Sequence, residues 1–272
     1  MPREKILVVV KTYPAISRKY TEVVCTAGIR EDGSWIRIYP IPFRSMEDFR
    51  QYKKYQWMEV DTEKSSDPRP ESYKVIDIDN IELLDTIDTG KKRDWAERKS
   101  LILDRNTIYT NLDSLIKKAK DNDLSLAIFK PEKITDLVVK EVEREWDPDK
   151  IRELDERAKQ GSLFDQVEKD MQQMPKLPYK FSYKFLDDKG KESTLMIEDW
   201  EIGQLYWQCF KRNNSEEEAI KKVRQKFIDE FISEKDIYLF LGTTRQHHFT
   251  APNPFVIVGV FYPPLIKQIQ LL

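Results

Sequence analysis

The sequence predicts an α+β fold in which a small barrel or curved antiparallel sheet comes first and a helix-containing C-terminal half follows. Three observations carry this. An early hairpin alternates apolar and polar residues, a second alternating hairpin opens at Leu177, and capped amphipathic helices separate that hairpin from two very apolar strands. At 272 residues, 40% hydrophobic and 35% charged, the chain suits one large domain or two moderate ones around a sizeable core.

Residues 6–10 read as a buried strand that ends at Lys11-Thr12-Tyr13-Pro14. The early hairpin follows, with Cys25-Thr26-Ala27-Gly28-Ile29 and Trp35-Ile36-Arg37-Ile38-Tyr39-Pro40 around a Glu31-Asp32-Gly33 turn. Gly33 accepts the positive φ that such a turn needs. Ile36 and Ile38 share one face of the second strand, and Trp35, Arg37 and Tyr39 share the other. Residues 46–55 suggest a short amphipathic helix and 56–62 a strand. Asp67-Pro68-Arg69-Pro70 is a stiff loop, because each proline fixes its own φ and restricts its predecessor. Strands are expected at 72–76, 78–84, 125–129 and 134–143, and helices at 94–103 and 111–120.

The division expected is 1–145 as a nucleic-acid-binding region, 146–174 as a charged helical connector, and 175–272 as an α+β region. In the last of these, Tyr179, Phe181, Tyr183 and Phe185 share a strand face, which reads as core. Asp187-Asp188-Lys189-Gly190 turns the chain into a second strand. Asp199 caps a helix striped with Ile202, Leu205, Tyr206, Cys209 and Phe210, and Ser215 with Glu218 opens another. Trp200, Tyr206 and Trp207 read as packing. Strands at 236–241 and 255–262 follow.

Charge is balanced overall, with 46 basic against 48 acidic side chains, so any hold on a polyanion must come from a local patch. Residues 1–57 supply one: eleven lysines and arginines stand there against six acids. Two distant cysteines make no disulfide framework, and two adjacent histidines make no structural zinc site. Neither a phosphate-binding loop nor a dinucleotide glycine fingerprint occurs. No cofactor and no metal are expected. The five apolar residues after the N-terminus are too few for a signal peptide, and no run spans a membrane, which points to a cytoplasmic protein.

A strand face that sets a guanidinium between two rings suits stacking of bases and neutralisation of phosphate. Trp35 and Tyr39 would stack, and Arg18, Lys19, Arg37 and Arg44 would meet phosphates. Lys11, Tyr13, Tyr20, Arg245 and His248, with Lys53 and Lys54, would extend the surface. The plainer alternative has the rings covering a second layer while Arg37 pairs with an acid. Glu198 and Asp199, at a strand-to-helix junction, are candidate catalytic carboxylates, although helix capping explains Asp199 more simply. His247 is a candidate proton donor in the loop after the 236–241 strand, and nothing beside it in sequence completes a triad.

Ser17, Arg18, Lys19, Cys25, Ala27, Gly28, Gly33, Trp35, Ile36 and Arg37 form a pattern that resembles the opening of bacterial proteins with OB-like domains. The resemblance covers about the first forty residues, and Ile38-Tyr39-Pro40 departs from it. It implies an OB-like small barrel. The whole chain resembles an uncharacterised bacterial family associated with mobile and phage-defence loci. The expected function is therefore recognition of nucleic acid, DNA or RNA with DNA favoured, in a bacterial phage-defence setting. One alternative is an enzyme acting on DNA, such as a glycosylase that flips and excises a modified base. A second is a protein-interaction scaffold. No membrane partner is expected.

Overall fold

The computed structural model describes residues 3–16, 22–159 and 175–265. Its first half is a closed five-stranded barrel made of β1 (Arg3–Lys11), β2 (Val24–Arg30), β3 (Trp35–Ile41), β4 (Gln56–Lys64) and β5 (Ser72–Val75). Neighbours run β1-β2-β3-β5-β4, and β4 returns to β1. All pairings are antiparallel except β3 with β5, and the result is an OB-like small barrel. Alternation builds it. Ile6 and Val8, Ile36 and Ile38, and Met58 and Val60 point inward at every second position and are fully buried together. Gly33 turns β2 into β3 at φ +89°.

Two local expectations change. The helix expected over 46–55 is replaced by single 3-10 turns at Phe43–Ser45 and Asp48–Arg50, because Met46 and Glu47 between them are extended. Phe43 and Tyr52 are thereby buried with the barrel core. The strand expected over 78–84 begins as a turn closed by Asp77, whose carboxylate accepts from the Asp79 amide. β6 (Glu82–Thr86) then adds to β4.

The chain continues through α1 (Ala96–Ile102), β7 (Ile108–Tyr109), α2 (Leu112–Lys120), β8 (Leu126–Phe129), β9 (Lys133–Glu141) and α3 (Pro148–Lys159). β10 (Tyr179–Leu186), β11 (Glu192–Met196), α4 (Trp200–Asn213) and α5 (Glu216–Arg224) come next. A wider π turn at Gln225–Glu230 carries α5 into α6 (Phe231–Glu234), and β12 (Tyr238–Thr243) and β13 (Phe255–Phe261) follow. One sheet is β11-β10-β9 and the other is β13-β12-β8-β7. A parallel bridge, Ile197 to Ile257, joins them. With β8 and β9 taken as one strand interrupted at residues 130–132, this half repeats the first strand order. Its third and fifth strands again run parallel, and α4 to α6 fill the link between third and fourth. The sequence discloses no such repeat, since strand order lies in pairing between distant segments.

Each half has its own core. Phe181, Tyr183, Phe185, Leu239 and Ile257 pack with Ile202, Tyr206, Val223 and Phe227 of the helices. A further cluster lies between the halves: Leu7, Val9, Ile29 and half-buried Trp35 meet Leu126, Ile128, Phe240, Val258 and Phe261. At about 1.5–3 kcal/mol per fully buried large apolar side chain, this seam fixes the halves against each other.

Candidate nucleic-acid interface

The outward row of β3 runs into this seam. Trp35 lies half-buried, edge-on to Phe240 at 5.6 Å between ring centroids. Arg37 is only 2% exposed, whereas Tyr39, at the far end, is 44% exposed. The structure thus corrects the expected stacking strand. Trp35 covers a second layer and Arg37 is sealed beneath the other half, so neither meets a polyanion.

Arg37 instead organises a polar seam. Its guanidinium donates to the Ser125 hydroxyl at 2.6 Å, the Ser125 carbonyl at 3.0 Å, Ser72 Oγ at 3.3 Å and the Thr243 carbonyl at 3.5 Å. Glu71 accepts from the Ser125 hydroxyl at 2.5 Å and from its amide at 2.9 Å. Arg69, in the stiff loop, pairs with Asp67 at 2.5 Å and donates to the Thr243 carbonyl. Burial and the neighbouring Arg69 charge lower the Arg37 pKa. Sequence reading gave Arg69 no role, because proline spacing marks a loop and says nothing of its partner 174 residues away.

The same seam anchors the loop 244–254 between β12 and β13. His248 is fully buried, and the Thr243 hydroxyl bonds its Nδ1 at 2.9 Å. Its Nε2 lies 2.9 Å from Asn122 Oδ1, which can only accept, so Nε2 carries a proton, and the lowered pKa of the group leaves the ring neutral near pH 7. Burial, with the Arg69 and Arg37 charges, lowers its pKa. His248 is therefore a loop anchor and not a surface contact. Around this anchor, Arg245, Gln246 and His247 are exposed, and Phe249 is 51% exposed. Arg69 and Arg245 lie near enough to the Tyr39 phenol to draw its pKa down against the larger effect of burial, which raises it. Tyr39, from the early hairpin, and Arg245, from the late loop, thus lie within electrostatic reach of each other. Phe249 escaped sequence reading because it stands alone among polar neighbours.

The other candidates are committed elsewhere. The Tyr13 hydroxyl accepts from Trp207 Nε1 at 2.8 Å and donates to the Pro175 carbonyl at 2.9 Å. Burial pushes its pKa up to about 12. The Tyr13 ring also lies where a Cβ on Gly203 would stand, so α4 approaches it closely. Arg44 is paired with Glu22 at 2.6 Å. Asp199 caps α4: its carboxylate accepts from the Glu201 amide at 2.9 Å, the Val260 amide at 2.9 Å and Lys54 Nζ at 3.1 Å. With its oxygens held by these donors, it is a structural node. Burial opposes the Lys54 charge, but Asp199 and Glu201 reverse this and hold its pKa well above the usual lysine range. Burial raises the Glu198 pKa, with Lys180 drawing it back. Arg18, Lys19 and Tyr20 lie outside the described residues. Among the described residues no cluster of three or more His, Cys, Asp or Glu side chains could hold a metal ion. Nor is any helix among them long and apolar enough to cross a membrane.

An OB-like barrel joined to a second half of like strand order, with an aromatic and arginine rim at the seam, defines a class of mixed α+β proteins. Within that class, the chain belongs to the family of the domain of unknown function DUF8757, which matches residues 107–272. Another domain of unknown function, DUF8758, matches residues 2–104. No curated protein matches the chain. Among solved structures, it is similar to a murine DNA-binding protein bound to double-stranded DNA. That similarity has a TM-score of 0.30 and 9% identity, covering 98% of this chain and 97% of the other. A likeness so distant carries no residue or role across.

Proposed function

We propose that the protein recognises nucleic acid, DNA in preference to RNA, at the rim where Tyr39 meets the 244–254 loop. The observation that carries this reading is that exposed Tyr39 lies within electrostatic reach of exposed Arg245, on a loop fixed from beneath by a buried histidine. Tyr39 offers a face on which an unpaired or extruded base stacks, and Phe249 offers another. Such stacking is worth about 1–3 kcal/mol per base. Arg245 supplies the charge for a neighbouring phosphate, and exposed His247 a further polar contact. Anchoring the loop before the ligand arrives spares the complex the cost of ordering it. Phosphate neutralisation along Arg18, Lys19 and Lys53 belongs to the same reading. The bacterial phage-defence setting is supported by the resemblance of the sequence alone and enters none of these roles.

Anisotropy of a labelled single-stranded oligonucleotide, titrated with protein across a salt series, tests the reading. Arg245→Ala should weaken binding and reduce the slope of log affinity against log salt by about 1, as loss of one phosphate contact requires. An unchanged slope with unchanged affinity rejects it.

A further inference from the structure

Lys140 of β9 and Lys180 of β10 stand directly opposite one another in register, and both are exposed. Opposed side chains on neighbouring strands have Cβ atoms about 5 Å apart, and like charges so placed destabilise the sheet. Among the described residues neither ammonium has an ion pair or a hydrogen bond to a carboxylate. The other charges on this face are matched. Lys184 pairs with Glu192 at 2.8 Å, and Asp136 pairs with Arg224 at 2.8 Å. The Glu198 carboxyl lies within electrostatic reach of Lys180, but burial raises its pKa and it forms no ion pair with the lysine.

Alternation sets what surrounds the two lysines. Phe181, Tyr183 and Phe185 of β10 fill the core, so Lys180, Ser182 and Lys184 face outward. Ser182 is flanked by Val138 of β9 and Met196 of β11. Val138 is 36% exposed, and the Ser182 hydroxyl has no hydrogen-bond partner among the described residues. The parallel bridge from Ile197 to Ile257 sets the end of β11 beside the first residues of β13, which the 244–254 loop enters.

We infer that Lys140 and Lys180 together hold a phosphate of the bound nucleic-acid strand, on the outer face of β9, β10 and β11. Charge complementarity chooses the occupant: the repulsion between two opposed ammonium groups is relieved when one phosphodiester lies between them. Ser182 offers that strand a hydroxyl donor, and Val138 with Met196 offers its sugars an apolar floor. Such contacts position a strand without reading its sequence. Nucleic acid as the source of the phosphate rests on the reading above. The lysine pair rests on strand register and exposure alone. A like-charge pair kept for a ligand trades stability for binding, and that trade can be measured.

The test reads both quantities in one variant. Lys140→Glu sets opposite charges across the two strands, so its melting temperature should rise by about 1–4 °C. Its affinity for a labelled single-stranded oligonucleotide, followed by anisotropy across a salt series, should fall. The slope of log affinity against log salt should shrink by about 0.7, as loss of one phosphate contact on a single strand requires. Unchanged affinity and slope overturn the inference. A lowered melting temperature contradicts the repulsion on which it stands. Arg245→Ala keeps the two readings apart: weakened binding there, with Lys140→Glu binding as the parent does, removes this contact and leaves the rim. A parent protein that binds no strand overturns both. Poly-glutamate binding that is lost in Lys140→Glu, with strand affinity untouched, assigns the pair to an acidic polypeptide and overturns the choice of nucleic acid.

Discussion

Arg37 and Ser125 are bonded across the seam between the two halves, guanidinium to hydroxyl at 2.6 Å, with both side chains buried. A charge of that kind stabilises only while its partners are in place, and those partners come from three distant segments. Replacing it with an apolar side chain removes a donor from the Ser125 hydroxyl and carbonyl and leaves Glu71 short of a nearby positive charge. Arg37→Met should therefore lower unfolding stability by about 3–5 kcal/mol, the usual cost of removing one partner from a buried charged network. Urea unfolding measures this. Strand affinity of the folded variant should stay close to that of the parent, because Arg37 has no access to ligand.

The neutral His248 makes the anchored loop sensitive to acid. Its folded-state pKa is lowered, so the unfolded chain takes up the proton first as pH falls. The stability it contributes is complete above the unfolded value of about 6.5 and is lost as pH drops from there towards the folded value. Protonation would put a charge in a buried site beside the Arg69 and Arg37 guanidiniums, which disfavour it. The urea midpoint should thus fall between pH 7.5 and pH 5.5, and His248→Gln should remove that part of the slope. An identical slope in both proteins contradicts the anchor.

Asp199 ties three elements together: it caps α4, accepts from β13 and pairs with Lys54 of the first barrel. Asp199→Ala leaves the buried Lys54 ammonium with Glu201 alone and removes a helix cap. A loss of about 3–5 kcal/mol is expected. Lys54→Met with Asp199→Asn removes both charges together and should recover part of that loss, as thermal unfolding of the single and double variants would show.

Gly203 lets α4 approach Tyr13 closely. A Cβ there would stand 2.2 Å from a Tyr13 ring carbon, well inside contact distance. Gly203→Ala should cost about 1–3 kcal/mol through overpacking, despite the better helix propensity of alanine. An unchanged melting temperature would show that the ring is free to move aside.

Local pattern made much of this molecule legible. The alternation of Ile36 with Ile38 and of Phe181 with Tyr183 placed barrel interiors correctly, and Asp199 and Ser215 cap their helices as expected. Alternation tells which residues share a side of a strand, but not what lies beyond that side. Trp35, Arg37 and Tyr39 do share a side, yet the second half covers the first two and leaves the third. That difference depends on Phe240, Ser125 and Thr243, whose distance along the chain leaves no mark near β3. Both the repeat of strand order and the electrostatic proximity of Tyr39 to Arg245 were hidden for the same reason.

Photo-crosslinking addresses the central claim most directly. A single-stranded oligonucleotide carrying 5-iodouracil is irradiated with the protein, and the crosslinked residues are mapped by peptide mass. The account predicts crosslinks at Tyr39 and in the 244–254 loop, at Phe249 above all, with Arg37 and Trp35 unmarked. Crosslinks confined to surfaces away from Tyr39 and that loop would contradict it.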